Sequence, residues 1–298
     1  MIDFRKISLS DKAWIDSLLA MGNHRGSEYT FSNNFNYREI YHIDVARMND
    51  YYLVHSGKEA SESSYLYPSG SGDIKPVIQA LMEDAKARGV AFQMHAVPKE
   101  GVAVLETLFP NLFTFEEMRD IFDYIYESQS LITLAGKKLH SKRNFINRFQ
   151  AEHDGSWSYE PITMANIDEC WAMNIEWCAE AGCGEDPSLR EESCAVKNCF
   201  HNFTALGLSG GVLRVDGKIV AYTMGLPLNS DTFIVHIEKA FSSVAGAYPM
   251  INQQFVTHTC ADYQYVNRED DVGNEGLRKA KLSYRPAILL EKYLVRLK

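Results

Sequence analysis

The same order of elements is written twice along this chain, and that repeat limits its fold more than any single motif. "FRKISLSDKAWIDSLL" (Phe4–Leu19) and "YEPITMANIDECWAM" (Tyr159–Met173) each read as a short strand, a turn and a Trp-containing amphipathic helix. Further on, "SSYLYPSGSGDIKPVIQALMEDAKARGVAFQMHAV" (Ser63–Val97) reads as strand, Gly-containing loop, helix, strand. The stretch from Thr232 to Asn267 repeats that order. At 298 residues the chain exceeds one ordinary core, so two domains are expected. "EHDGS" is the punctuation between the halves, which gives an N-terminal domain over 1–152 and a C-terminal domain over 153–298.

Individual elements follow from periodicity and stop signals. Ser10 is the expected N-cap of the first helix. Strands are expected at Tyr51–His55, Ser64–Tyr67, Val90–Val97, Phe113–Glu117 and Ile121–Glu127, with a helix over Ile74–Arg88 closed by Gly89. Ser130–Ala135 reads as a strand, and the basic segment after it as a turn into a helix ending near Glu152. Asp216-Gly217 marks a tight hairpin. The alternating run Arg285–Arg296 is expected to close the second half's sheet.

Nothing at the start, "MIDFRKISLS", resembles a signal peptide, and no stretch reaches the roughly 18–20 apolar residues of a bilayer span. The expectation is a soluble, cytoplasmic protein. Its net charge of −9 argues against a general polyanion-binding surface. Two basic islands stand out against it, "GKKLHSKRNFINRF" (Gly136–Phe149) and the last 21 residues, and these suit local anion sites. Five of six cysteines fall between Cys170 and Cys199 without a CxxC pair. Core thiols are therefore favoured over a zinc site, and disulfides are not expected.

Three stretches can carry chemistry. "SSVAGAYP" (Ser242–Pro249) joins a strand to a helix whose N-terminus can face an anion, or it is an ordinary strand–helix turn. In "TFIVHIEKA" (Thr232–Ala240) alternation puts His236 and Glu238 on one face as candidate general bases. That face reads equally well as merely solvated. "NREDDVGNEGLRKAKLSYRP" (Asn267–Pro286) leaves a strand with acids first and bases after. Its acids suit an ammonium, Arg278 and Lys281 suit a phosphate or carboxylate, and a charged surface loop is the plain alternative. The calcium-loop pattern is missing, as are Gly-x-Ser-x-Gly and HExxH. Direct attack by a positioned substrate therefore fits better than a covalent intermediate.

The order β-α-α-β-β-β-α-β with a final strand resembles the GCN5-related N-acetyltransferase (GNAT) fold, here in tandem. The fold class expected is α+β, a tandem duplicated GNAT-like (acyl-CoA N-acyltransferase) fold with mixed sheets flanked by helices. "GKKLHSKRNFINRF", "GAYPMINQQF" and "NREDDVGNEGLRKAKLSYRP" more specifically resemble the C-terminal catalytic domain of phosphatidylglycerol lysyltransferase, related to the FemXAB peptidyltransferases. The resemblance implies a donor loop at Val244, Ala245, Gly246, Ala247 and Tyr248, with Asn252 beside it. It implies a donor arm between splayed strands, with His236 and Glu238 on one wall and Asn267 and Glu269 on the other. Lys142, Arg143, Asn144, Arg278, Lys281 and Tyr284 would hold the acidic substrate or the tRNA end. The donor co-substrate would be acyl-CoA (coenzyme A) or aminoacyl-tRNA, with no permanently bound cofactor and no metal. The acceptor would be a small molecule or phospholipid-like. "SSVAGAYP" lacks the Q/R-x-x-G-x-G/A spacing of coenzyme A-binding members. A soluble acyl- or aminoacyl-transferase is thus expected, with a non-catalytic ligand-binding or regulatory module as the alternative.

Overall fold

The computed structural model describes residues 1–298, apart from the side chains of Pro187 and Ser188. The chain forms two compact units, one of Met1–Asp123, Asp270–Asn274 and Leu289–Lys298, the other of Tyr124–Glu269 and Glu275–Ile288. The division read at 152/153 falls inside the second unit. The reason is that Leu131, Leu139, Ile146 and Phe149, which precede "EHDGS", are buried in the same core as Phe233, Ile251 and Phe255.

The elements up to the first sheet's edge are β1 (Arg5–Lys6), α1 (Lys12–Gly22), α2 (Phe31–Asn36), β2 (Asp44–Met48), β3 (Tyr51–Ser56), β4 (Ser64–Leu66) and β5 (Ser69–Gly70). They continue with α3 (Lys75–Arg88), β6 (Gln93–Pro98), α4 (Lys99–Leu108) and β7 (Phe113–Glu117). Then come β8 (Asp123–Glu127), α5 (Ser128–Thr133), α6 (His140–Glu152), β9 (Trp157–Pro161), α7 (Ile167–Ala181), α8 (Pro187–His201) and α9 (Phe203–Leu206). The remainder is β10 (Ser209–Val215), β11 (Lys218–Pro227), β12 (Thr232–Ala240), α10 (Ala247–Thr259), β13 (Tyr265–Asn267), α11 (Glu275–Leu282), β14 (Ile288–Leu290) and β15 (Lys292–Leu297).

The first sheet runs β1-β2-β3-β4-β6-β15-β7, with β5 beside β3. There β4 and β6 pair in parallel, and the pairings β1–β2, β2–β3, β3–β4, β3–β5, β6–β15 and β15–β7 are antiparallel. Helix α3 places Val77, Ile78, Leu81 and Ala85 against Met94, Val97 and Tyr65, the helical stripe that its sequence periodicity requires. Gly89 ends it in the left-handed conformation, φ 72°. The second sheet runs β14-β8-β13-β12-β11-β10-β9. Asp216 and Gly217, at φ 50° and 77°, make the tight turn between β10 and β11 that the sequence announces. Among the described residues no helix is long and apolar enough to cross a membrane.

Four expectations are corrected. The run read as closing the second sheet instead supplies β15, which lies between β6 and β7, with Tyr293 facing Val97 and Glu117. Alternation identifies a strand but not its sheet. Ser130–Ala135 is not a strand, because Leu131 and Leu134 reach the core together only at helical spacing, in and just after α5. The β-branched Ile132 and Thr133 misled. Ser10 does not cap α1. Asp11 does the organising there, accepting from Ser8 N at 2.9 Å and Trp14 Nε1 at 2.9 Å while paired with Arg5. Finally, Cys178 and Cys183 form a disulfide across the left-handed Gly182 that ends α7. Compartment arguments do not foresee such a local reversal.

Within the first unit, Lys292 is 1% exposed. Its Nζ donates to Asp123 Oδ1 at 2.8 Å, Glu28 Oε1 at 2.8 Å and Ser27 Oγ at 3.2 Å. Burial alone would strip the ammonium of its proton. The Asp123 and Glu28 carboxylates outweigh it and hold the proton above the usual lysine range. Lys292→Met takes the shared ammonium from the buried Asp123 and the half-buried Glu28 and is expected to lower unfolding free energy by about 3–5 kcal/mol in a urea titration. Lys99→Met, whose partner Glu291 is at the surface, should cost less than about 1 kcal/mol.

His95 on β6 bonds through Nδ1 to Ser64 Oγ at 3.0 Å, and burial, helped by Lys292 and His55, pushes it down to about 4. Unfolding restores its ordinary 6.5, so the unfolded chain takes the proton first. Its contribution, about 3 kcal/mol at most, is intact above pH 6.5 and is lost as pH falls toward 4. Urea titrations across that range should show the decline, and His95→Gln should flatten it.

Candidate functional site

Strands β12 and β13 pair in parallel for three residues, Thr232 with Tyr265, Phe233 with Val266 and Ile234 with Asn267. Pairing then stops. β12 continues to Ala240, while the chain beyond β13 turns at Glu269, φ 58°. The buried Asn267 holds that turn, its Oδ1 accepting Glu269 N at 2.7 Å. On the other edge of β12 the ladder to β11 skips from Ile237–Met224 to Val235–Gly225, which leaves His236 as the extra residue of a β-bulge. Gly225 is required opposite it, since a Cβ there would lie 2.0 Å from Ile234 O.

Side chains bridge the gap that the backbones leave. His236 Nδ1 is 2.6 Å from Glu269 Oε1. Arg268 Nη2 is 2.6 Å from Glu238 Oε1, and Asn252 Nδ2 donates to Glu238 Oε2 at 2.9 Å. The Arg268 guanidinium lies 4.8 Å from the Tyr284 ring and 5.7 Å from the Tyr126 ring. Lys142 Nζ lies 4.1 Å from the Tyr284 ring, and Lys281 Nζ donates to Arg268 O at 2.5 Å. Tyr126 OH in turn donates to Lys281 O at 2.8 Å, tying β8 to the end of α11.

Burial opposes the charge on Arg268, but Glu238 and the neighbouring tyrosines outweigh it and raise its pKa. Burial, then repulsion from Arg268, lowers Lys142. Burial pushes Tyr284 up to about 12. Two buried side-chain nitrogens, His236 Nε2 and Arg268 Nη1, have no partner among the described residues. The cluster thus offers one imidazole nitrogen and one guanidinium N–H group to a guest, with two ammonium groups nearby.

The other expected residues lie as follows. Gly246 (φ 85°) precedes α10, and a Cβ on it would stand 2.5 Å from Phe145 O of α6. Its glycine is therefore demanded by close packing on α6 as much as by any guest. Ala247 N bonds to Val244 O and Met250 N to Gly246 O, while Ala245 is half-buried in the same loop and Tyr248 is 38% exposed. Asn252 serves Glu238. Arg143 donates to the Leu134 and Gly136 carbonyls and so fastens the end of α5. Asn144 is exposed beside His140 at 3.2 Å. Arg278 is half-buried one turn before Lys281 on α11. The participation of Arg268 as the centre, and of Tyr126, is not evident in the sequence. Only the alternation of Tyr124 and Tyr126 on β8 hints at the second.

The first unit has the same strand divergence. Its parallel pair ends at Leu66–His95, and Ala96 follows at φ 50°. There a cavity of about 250 Å³ opens, lined in part by His24, Tyr29, Ala96, Pro98 and Lys292.

A parallel pair whose pairing ends beside a strand–helix connection occurs once in each unit, and the fold is the GNAT-like plan in tandem. The chain belongs to the family described as phosphatidylglycerol lysyltransferase, C-terminal, whose model matches residues 20–296. A crystal structure of a conserved protein of unknown function from Bacteroides thetaiotaomicron is 42% identical over the whole of both chains, with a TM-score of 0.95. The structure of L-PGS from Bacillus licheniformis has a TM-score of 0.66 at 15% identity, over 98% of this chain and 92% of that one, a likeness of fold. An uncharacterized protein of Mycoplasmoides gallisepticum is 23% identical over 177 residues, 58% of this chain. That match spans 56% of the curated relative's length.

Glu238→Ala strands the buried Arg268 charge and is expected to destabilise the protein by about 3–5 kcal/mol. Adding Arg268→Met should recover most of that loss, which a double-mutant cycle by denaturant titration will measure.

Proposed function

We propose that the protein transfers an aminoacyl group from aminoacyl-tRNA to an amine or hydroxyl acceptor by direct attack, within the second unit. The observation that carries this reading is the paired bridging of the β12–β13 divergence. In an acyl-CoA enzyme of this plan the acyl arm lies between those strands. Here His236–Glu269 and Arg268–Glu238 contacts of 2.6 Å span that space. An ester at the end of a tRNA needs no such slot. It needs a pocket for the amino acid and cations for phosphate.

Arg268, Lys142 and Lys281 around Tyr284 suit a phosphate, whether of the tRNA end or of a phospholipid-like acceptor. Glu269 suits the ammonium of the aminoacyl group or the imidazolium formed beside it. Membership of the lysyltransferase family supports the class of reaction. In the reaction the acceptor's nitrogen or oxygen bonds to the ester carbon, the ester C–O bond breaks, and the tRNA hydroxyl leaves with the proton.

The donor is tested by thermal shift. Aminoacyl-tRNA should stabilise the protein, and the shift should shrink steeply with salt as counterions are released. A saturable, salt-tolerant shift with acetyl-CoA, and none with aminoacyl-tRNA, would make acyl-CoA the donor instead. With a turnover assay in hand, alanine at Glu269 or Lys281 should lower the rate by about 100-fold or more. Tight donor binding without transfer to any of a panel of amines and lipids would favour the non-catalytic alternative.

A further inference from the structure

Two side chains on β12 can in principle take the proton that the attacking group loses, and the structure separates them. Both Glu238 oxygens are occupied, one by Arg268 and one by Asn252. Its charge is neutralised, and a proton on it would break the ion pair. His236 is placed differently. Its side chain is 8% exposed, its Nδ1 is held 2.6 Å from Glu269 Oε1, and its Nε2 is buried without a partner.

We infer that His236 Nε2 is the catalytic base of this site and that Glu269 is its positioning residue. This rests on the transferase reading above. A carboxylate oxygen only accepts, so the proton of a neutral His236 sits on Nδ1 and donates to Glu269. The lone pair is then left on Nε2. Three local devices hold that arrangement. The bulge at His236 takes it out of the regular alternation of β12, Gly225 admits the bulge, and the Asn267 side chain fixes the left-handed turn that aims Glu269. As the acceptor's N–H or O–H attacks the ester carbon, its proton moves to Nε2, and the imidazolium is stabilised by Glu269. When the C–O bond breaks, the same proton goes to the leaving hydroxyl, and His236 returns to its neutral form.

The charged and titratable groups around the imidazole are Glu269 on the turn, Glu238 two residues along β12, Arg268 holding Glu238, and the Cys199 thiol of α8 beside Glu269. Glu269 is the group in contact with the imidazole, at 2.6 Å from Nδ1.

The experiment has two arms on the full chain. Histidine-selective ¹⁵N NMR, with His236→Gln assigning the resonance, should show the neutral Nδ1–H form of His236. Glu269→Ala should abolish that preference. The Nε2–H tautomer in the wild-type protein overturns the proposal. The second arm measures turnover with lysyl-tRNA and phosphatidylglycerol vesicles, and with acetyl-CoA and polyamines. His236→Gln should lower kcat by about 100-fold or more with KM little changed, and Glu269→Gln should lower kcat, again with KM little changed. A His236→Gln rate within about threefold of wild type, with the fold intact, overturns the base. Wild-type protein that turns over neither pairing overturns the transferase reading and the base with it. The spectrum still reports the His236–Glu269 dyad in that case, so the two failures are distinguishable.

Discussion

Three parallel residue pairs hold β12 to β13, and everything at the candidate site follows from the pairing ending there. Past Ile234 and Asn267 the two backbones no longer satisfy one another. The space between them is closed by charged side chains at hydrogen-bonding distance. Buried charges of this kind are stable only as a set, since each loses solvation and regains it through its partner. Arg268 is held by Glu238, Glu238 by Asn252, and the aromatic rings of Tyr126 and Tyr284 line the guanidinium. The order of the site is therefore imposed by the sheet beneath it.

Each unit contains the same divergence and resolves it differently. In the second, side chains bridge it. In the first, a cavity stands beside it, lined by Arg25, Glu100 and the Lys292 ammonium, which Asp123 and Glu28 hold. The same ending of a parallel pair thus occurs in both units, and the charged side-chain bridge across it in the second.

Much of this was legible in the sequence. The repeat, the Asp216-Gly217 hairpin and the span of β12 come from local pattern, while the placing of His236 and Glu238 opposite Asn267 and Glu269 came only with the family resemblance. What was not legible depends on distant partners. The strand pattern of β15 is clear, but its place between β6 and β7 is decided by hydrogen bonding to residues almost two hundred positions away. Leu131, in α5, and Leu134, just after it, reach the core that α10 also fills, against their neighbours' preference for a strand. Arg268 reads as one charge in a charged loop, and only its burial against two tyrosines and Glu238 marks it as the centre. The bulge at His236 is invisible in a run that alternates perfectly well without it.

The position of β15 also has a consequence for how the chain is made. The first unit's sheet has β6 and β7 as neighbours of β15, antiparallel to both, so an interior row of that sheet is supplied by residues 292–297. During synthesis β6 and β7 emerge long before it. Until Lys292–Leu297 is delivered, the facing edges of β6 and β7 have no partner, and the Asp123 and Glu28 carboxylates lack the ammonium between them. The unit that is translated first is thus among the last to be completed, and it must wait with open strand edges.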